Sequence, residues 1–210
     1  LLKQLLFFTL IGAMLSPFWL PVVGGKIFSD ERMSRLYSYL DPFKYASSDG
    51  YQLVNSYLAI GLGGLKGLGL GKGVQKYGYL PESHTDFIMA VIAEELGLFG
   101  VMFTLGLLSF IVLRGFWVAR RTNDAFGSLL AIGISVMIGF QTFINVGGVT
   151  GIIPITGVPL PLVSYGGTSL VLMMASLGLL VNISMFTKYE QRYKKSKKMT
   201  VDRQKRGLTF

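Results

Sequence analysis

Apolar residues fall into long blocks along the chain, and the lengths of these blocks decide the class of protein. A bilayer core takes about 20 predominantly apolar residues in a helix, with roughly 17 to 25 as the range. Four stretches meet that requirement: residues 5–23, carrying Pro17 and Pro21 toward the far end, then 87–113, 126–146 and 166–186. The pattern predicts an all-α polytopic membrane protein with four transmembrane helices. Two long connections, 24–86 and 147–165, alternate with one short one, and residues 188–210 form a basic tail.

Composition agrees with this reading. Hydrophobic residues make up 51% of the 210 and charged residues only 15%, with a mean hydropathy of +0.53. Soluble domains rarely combine these values. The formal charge of +9 could suit a nucleic-acid binder, so the placement of the basic residues decides. Nine of the 20 Lys and Arg lie between Lys188 and Arg206, directly after an apolar block. That is a juxtamembrane anchor, and no nucleic-acid partner is expected. There is no cysteine, which removes disulfides and thiolate metal sites. The chain opens on Leu1 without a Met, a charged leader or a small-residue cleavage site, and is expected to be a piece of a longer protein.

Orientation follows from the same charges. Lys3, the short connection with Arg114, Arg120 and Arg121, and the basic tail fall on one side, which must be the cytoplasm. The segments 24–86 and 147–165 then lie outside. In the first, seven Lys and Arg are nearly balanced by six Asp and Glu. It holds Asp30-Glu31-Arg32, Leu40-Asp41-Pro42, the short apolar stretch Tyr51–Ile60 and seven glycines between Gly61 and Gly73. A loop of this length and content is functional rather than connecting. Tyr51–Ile60 reads as an amphipathic helix at the interface. The glycine run lacks the lysine-hydroxyl ending of a nucleotide-binding loop and follows no strand. The second outer segment carries Pro154, Pro159 and Pro161 and is too apolar for a solvated loop. Non-helical backbone of that kind survives when it is buried in protein or lines a wet cavity, so a re-entrant-like loop beside a site is predicted.

Candidate chemistry gathers at Tyr79–Phe87, the outer mouth of the second block, which holds Glu82, Asp86 and the only histidine, His84. Thr85 or Asp86 could be a helix N-cap, a role compatible with catalysis at a helix mouth. Glu94 and Glu95 are a structural ion pair or part of a site, depending on whether the span begins at Phe87 or nearer Leu96. Gln141 and Asn145 share one helix face, where interhelical hydrogen bonding is the default. Lys66, Lys72 and Lys76 are either solvated surface charges or a phosphate-facing set.

Long ordered motifs then resemble a known family. Gly64–Gly71, Val74-Gln75-Lys76, Tyr79–Ile88 and Ala93–Gly97 resemble the large extracytoplasmic loop of the FtsW/RodA/SpoVE, or SEDS, family. Asn145–Gly147, Pro154–Pro161 and Ser164–Ser169 resemble its second signature. The Val-Gln-Lys is closer to the FtsW and SpoVE branch than to RodA. The resemblance runs from the first block through the fourth and fades in the tail.

This resemblance implies a peptidoglycan glycosyltransferase polymerising lipid II in septal wall synthesis, with the last four of ten spans present here. Without the earlier helices these four spans are not expected to be active alone. Asp86 is implied as the catalytic base of an inverting displacement. Glu82, His84, Thr85, Lys72, Lys76, Thr156, Pro159, Pro161, Ser164, Tyr165, Gly166 and Gly167 are implied to bind or enclose substrate. No protein metal site is expected; a Mg²⁺ or Mn²⁺ ion would be held mainly by the substrate pyrophosphate. Lipid II, undecaprenyl-linked glycan, a class B penicillin-binding transpeptidase and other division membrane proteins are the implied partners. A lipid II flippase and a non-catalytic division scaffold are the competing functions.

Overall fold

The computed structural model describes residues 30–48 and 50–207. The first predicted span, 5–23, lies outside the described residues, as do residues 24–29 and Asp49 of the first outer loop. The described chain falls into two units, divided after Val54. Five α-helices are found among the described residues, and no strand.

In the first unit, helix α1 covers Asp30–Leu40. The Asp41 N–H donates to the Tyr37 carbonyl at 3.0 Å, and Pro42 then prevents a further turn. The chain folds back through the Lys44 N–H, which donates to Asp41 Oδ1 at 3.3 Å, and the Gly50 N–H, which donates to the Tyr45 carbonyl at 3.1 Å. Helix α2, Tyr51–Gly63, begins here and continues into the second unit.

Within the second unit α2 buries a face of small and polar residues, Ser56, Ala59 and Gly63, and leaves Leu58 and Leu62 exposed. The reason is close approach. A Cβ on Gly63 would stand 1.8 Å from the Ala93 carbonyl oxygen, and the Ser56 hydroxyl donates to the Val149 carbonyl at 2.8 Å. Small residues at three- and four-residue spacing, on one helix face, allow such contact between helices.

Among the described residues three helices are long and apolar enough to cross a membrane: α3, Ile88–Arg121; α4, Ala125–Val149; and α5, Gly167–Gly207, whose apolar part is Gly167–Glu190. They correspond to the predicted blocks 87–113, 126–146 and 166–186. Helix α5 continues through the basic tail instead of ending near Phe186. Asp124 caps α4 by accepting from the Gly127 N–H at 2.7 Å. A Cβ on Gly115 would lie 1.9 Å from Ser135 Oγ, so α3 and α4 cross closely there and a side chain at 115 would have to displace the Ser135 hydroxyl. Ala119, Ala131, Ile134, Ile138, Met173 and Leu180 fill the space among α3, α4 and α5. A second core, with Ala59, Leu80, Phe87, Ala90, Val149 and Leu160, lies where the glycine-rich and Pro-rich segments meet the helices. Large apolar side chains such as Phe99, Phe103, Leu129 and Phe140 point outward, as lipid-facing surface requires.

At 34 residues, α3 is too long for a bilayer core of about 30 Å. Its helix is interrupted at Gly97, where φ is 63° and ψ is −161°. That region is essentially restricted to glycine. The interruption strands backbone groups, and the glycine-rich loop satisfies them. The Leu68 N–H donates to the Glu94 carbonyl and the Gly69 N–H to the Glu95 carbonyl, both at 2.9 Å. In return the Leu98 N–H donates to the Gly64 carbonyl at 3.0 Å. A Cβ on Gly97 would stand 2.4 Å from the Gly67 nitrogen. The piece of α3 after Gly97, about 36 Å long, suffices to cross by itself. The Glu94–Glu95 pair therefore precedes the spanning piece.

Gly97→Ala is expected to lose about 1–3 kcal/mol from backbone strain alone, with the steric overlap in addition. Thermal unfolding in detergent reads this; an unchanged midpoint would mean that the break is not glycine-dependent.

Candidate active site

The site is built on the turn between Tyr79 and Phe87. Buried Leu80 and Phe87 anchor its two ends in the core. Between them the Glu82 carbonyl accepts from the Thr85 N–H at 3.1 Å and the Phe87 N–H at 3.3 Å. Closing the turn puts Glu82 at a φ of 54°, unusual for a residue with a Cβ. The Thr85 hydroxyl donates to Glu82 Oε2 at 2.6 Å and locks the strained residue.

This turn leaves three consecutive backbone carbonyls, those of His84, Thr85 and Asp86, to be satisfied from outside. The Pro-rich segment and its flanks do so. The Tyr165 N–H donates to the His84 carbonyl at 2.8 Å, and the Ser164 hydroxyl donates to the Thr85 carbonyl at 2.5 Å. Asn145 Nδ2 donates to the Asp86 carbonyl at 2.7 Å and to the Val158 carbonyl at 2.9 Å. Ser164 Oγ also accepts from the Leu160 N–H at 2.7 Å. The two segments, far apart in sequence, are thus stitched together at one point.

Asp86 is not a helix cap. Phe87 occupies the N-cap position of α3, and no side chain caps it. Thr85, the other capping candidate, spends its hydroxyl on Glu82. The Asp86 carboxylate faces a small recess lined by Asn145, Gly148, Ile155, Thr156, Gly157 and Val158. Gly157, at φ 72°, brings its backbone close; a Cβ there would sit 3.5 Å from Asp86 Oδ2. Partial burial, followed by the negative charge of Glu82, raises the pKa of Asp86 above the ordinary carboxylate value.

The other predicted residues separate into groups. Thr156 lines the recess at Asp86. Pro159, Pro161 and Ser164 line an adjoining apolar cleft of about 300 Å³, together with Met137, Gln141 and Met173. His84 is exposed, and Tyr165 turns its ring outward at 80% exposure. Gly166 accepts from the Leu170 N–H and Gly167 begins α5. Lys72 is exposed on the glycine-rich loop. Lys76 is held by Glu95, its Nζ 2.5 Å from Oε1, and neither lysine lines the recess at Asp86. The hydrogen bond from Lys76 to Glu95 raises the lysine pKa above its ordinary value.

Glu94 and Glu95 bind the glycine-rich loop and do not line the recess at Asp86. Glu94 is 0% exposed, and its carboxylate accepts from the Val74 N–H at 2.7 Å and the Gln75 N–H at 3.3 Å. Glu95 Oε2 accepts from the Gly71 N–H at 3.0 Å. Asn145 differs from expectation: it is 4% exposed and bonds loop backbone instead of a neighbouring helix side chain. Its four-residue spacing from Gln141 marked the face, but nothing local revealed which carbonyls it would meet. Gly157 was likewise visible only as one of several glycines.

Fold and site together define a multi-pass membrane protein whose extramembrane segments hold a carboxylate, without a hydrogen-bond partner among the described residues, at a helix mouth. The profile of the family described as cell cycle protein, FtsW/RodA/SpoVE, matches residues 2–189, and the chain belongs to this SEDS family. It is 65% identical over 170 residues to the "Probable peptidoglycan glycosyltransferase FtsW" of Bacillus subtilis (strain 168), covering 81% of this chain and 42% of that protein. It is 46% identical over 167 residues to the Stage V sporulation protein E of the same organism, covering 80% and 46%. A solved structure described as "Structural coordination of polymerization and crosslinking by a peptidoglycan synthase complex" superposes with a TM-score of 0.61 at 29% identity, over 85% of this chain and 48% of that one. The chain thus spans less than half the length of these relatives.

The raised pKa has a thermodynamic sign. A carboxyl whose folded pKa lies above its unfolded value contributes stability below the unfolded pKa and loses it as pH rises through the folded pKa. At neutral pH the ionised Asp86 therefore costs stability. Asp86→Asn is expected to unfold at the same or a higher temperature than the wild type at pH 7, with the difference shrinking toward acid. A clear drop at pH 7 would assign the carboxylate a structural role.

Proposed function

We propose that the protein carrying this chain is a peptidoglycan glycosyltransferase that polymerises lipid II on the extracytoplasmic face of the bacterial inner membrane during septal wall synthesis. The observation that carries the proposal is the Asp86 carboxylate, partly buried, spared from capping, and with a raised pKa. Family membership and the names borne by the relatives support the reaction class.

In this reading Asp86 takes the proton of the acceptor sugar hydroxyl. The hydroxyl oxygen bonds to the anomeric carbon of the donor, and the bond from that carbon to the undecaprenyl pyrophosphate breaks. The electron pair leaves with the pyrophosphate, and a single displacement inverts the anomeric centre. A raised pKa makes the carboxylate a stronger base than an ordinary Asp. Glu82, through its charge, helps to set that basicity, and Thr85 fixes Glu82 in place. His84, Tyr165 and Lys72, all exposed around the turn, are the groups available to orient sugar or pyrophosphate. Thr156, Pro159, Pro161, Ser164, Gly166 and Gly167 enclose the substrate.

Among the described residues no three His, Cys, Asp or Glu side chains gather as a cation cage. In this reading a Mg²⁺ or Mn²⁺ ion, held mainly by the substrate pyrophosphate, would offset the leaving group's charge. A class B penicillin-binding transpeptidase is the proposed partner, in keeping with the solved relative whose description joins polymerisation to crosslinking. Other division membrane proteins complete the assembly.

The test is lipid II polymerisation by the purified protein with its transpeptidase. Asp86→Ala and Asp86→Asn are expected to lose about 10²–10⁴-fold in rate while partner binding persists. The wild-type rate should fall as pH drops through the raised Asp86 value, because only the ionised form accepts a proton. Strands formed at near wild-type rate by both variants would sink the assignment. Loss of lipid transport with unimpaired bond formation would favour a flippase.

A further inference from the structure

The side chain that ties the turn to the Pro-rich segment carries one atom that neither segment uses. Asn145 is 4% exposed, and its Nδ2 donates to two carbonyls, those of Asp86 and Val158. Carbonyls only accept, so these partners fix which end of the amide is nitrogen and which is oxygen. The oxygen, Oδ1, is buried and has no hydrogen-bond partner among the described residues. Buried acceptors are rarely left in that state. Asn145 lines the recess at Asp86, whose volume of about 10 Å³ is room for a single water molecule. The Asp86 carboxylate bounds the same recess, with its Oδ2 beside Gly157, the residue before Val158.

An ionised carboxylate and an amide oxygen are both acceptors, so a group that joins them must donate twice. The Thr156 hydroxyl carries one proton, as does each backbone N–H, whereas water carries two. We propose that one water molecule sits in this recess and donates to both Asn145 Oδ1 and Asp86, which makes Asn145 a positioning residue for the carboxylate. The proposal rests on the reading of Asp86 as the base. Held at its inner oxygen, the carboxylate has its plane fixed and its outer oxygen left to the acceptor hydroxyl. A donor to the ionised form also stabilises that form, so the water limits how far burial and Glu82 raise the Asp86 pKa. Glu82, on the same turn, is the charged group that acts on Asp86; among the described residues α4 and the Pro-rich segment bring no titratable side chain to the recess. His84 and Tyr165, the next titratable groups along the two segments, are exposed.

Asn145→Ala would remove two carbonyl bonds along with Oδ1, so the test fills the recess instead. A Cβ on Gly148 would meet only the Ile155 Cα, at 3.9 Å, and both residues are recess wall, so Gly148→Ala takes the place of the water without overlap. Alanine also favours the helix, and the unfolding temperature should not fall. Infrared titration of the full-length protein in detergent reads the Asp86 carboxyl band, with the matching Asp86→Asn protein as blank. Gly148→Ala is expected to move the Asp86 midpoint upward by about one pH unit. The acid limb of lipid II polymerisation, measured with the transpeptidase present, should move by the same amount. Gly133→Ala, in open space on the same helix, should leave both where they are. A density map of the full-length protein that resolves waters should show one between Asn145 Oδ1 and Asp86, and none in Gly148→Ala. An unmoved or lowered midpoint in Gly148→Ala, an equal shift in Gly133→Ala, or a wild-type map without that water would overturn the bridge. The titration reads Asp86 whether or not it acts as a base. A midpoint that moves without the acid limb, or polymerisation by Asp86→Asn, would instead overturn the reading of Asp86 as the base.

Discussion

The capture of three successive carbonyls, at His84, Thr85 and Asp86, is the constraint on which the loop-bearing end of the second unit depends. A turn that enters a helix without regular hydrogen bonding leaves its carbonyls unpaired. Burying one without a partner costs about 1–3 kcal/mol, more than a satisfied hydrogen bond contributes on average. Tyr165, Ser164 and Asn145 supply the donors, one per carbonyl. Because Asn145 also holds Val158, and Ser164 also holds Leu160, the Pro-rich segment is ordered by the same bonds that order the turn. Neither segment forms regular structure of its own around these bonds, so each defines the conformation of the other.

The glycine-rich loop supports the turn from below by a related exchange. Breaking α3 at Gly97 sacrifices helical hydrogen bonds, and the loop returns them through Leu68, Gly69 and Gly64. Glycines are needed here for a particular reason: at Gly67 and Gly97 two backbones approach so closely that a Cβ on either would meet the other. The buried Glu94 carboxylate then collects the Val74 and Gln75 N–H groups, while Glu95 holds Gly71 and Lys76. Because both carboxylates are paired by groups of the loop, the loop and the first turns of α3 form one ordered unit.

This division of labour explains why Asp86 is available. Its backbone is held by Asn145, and the N-cap position belongs to Phe87, so the carboxylate makes no hydrogen bond among the described residues. It is left half-buried beside Gly157, with Glu82 as its charged neighbour. An ionised group in that state is a cost to folding. In the proposed reaction the same burial that penalises the ionised form is what would make this carboxylate a stronger base.

Much of the architecture was legible in the chain because its causes are local. Long apolar blocks need only their own length to announce a span, and α3, α4 and α5 begin within a residue or two of the blocks at 87, 126 and 166. Their far ends were less legible. Hydropathy marks the part of a helix that lipid can cover, whereas helical hydrogen bonding continues through Arg114–Arg121 and the basic tail, where Lys and Arg are good helix formers. The crowding of polar groups at Tyr79–Phe87 was also written in the sequence, as was the unusual Pro-rich segment. What the tertiary structure alone decided was which of these groups would be used up. Lys76 goes to Glu95, Thr85 to Glu82 and Asn145 to loop carbonyls, whereas Asp86 is left unpaired. Each outcome depends on partners distant in sequence or on a turn whose strain no local pattern signals, and hydrogen bonds of that kind leave no periodicity to read.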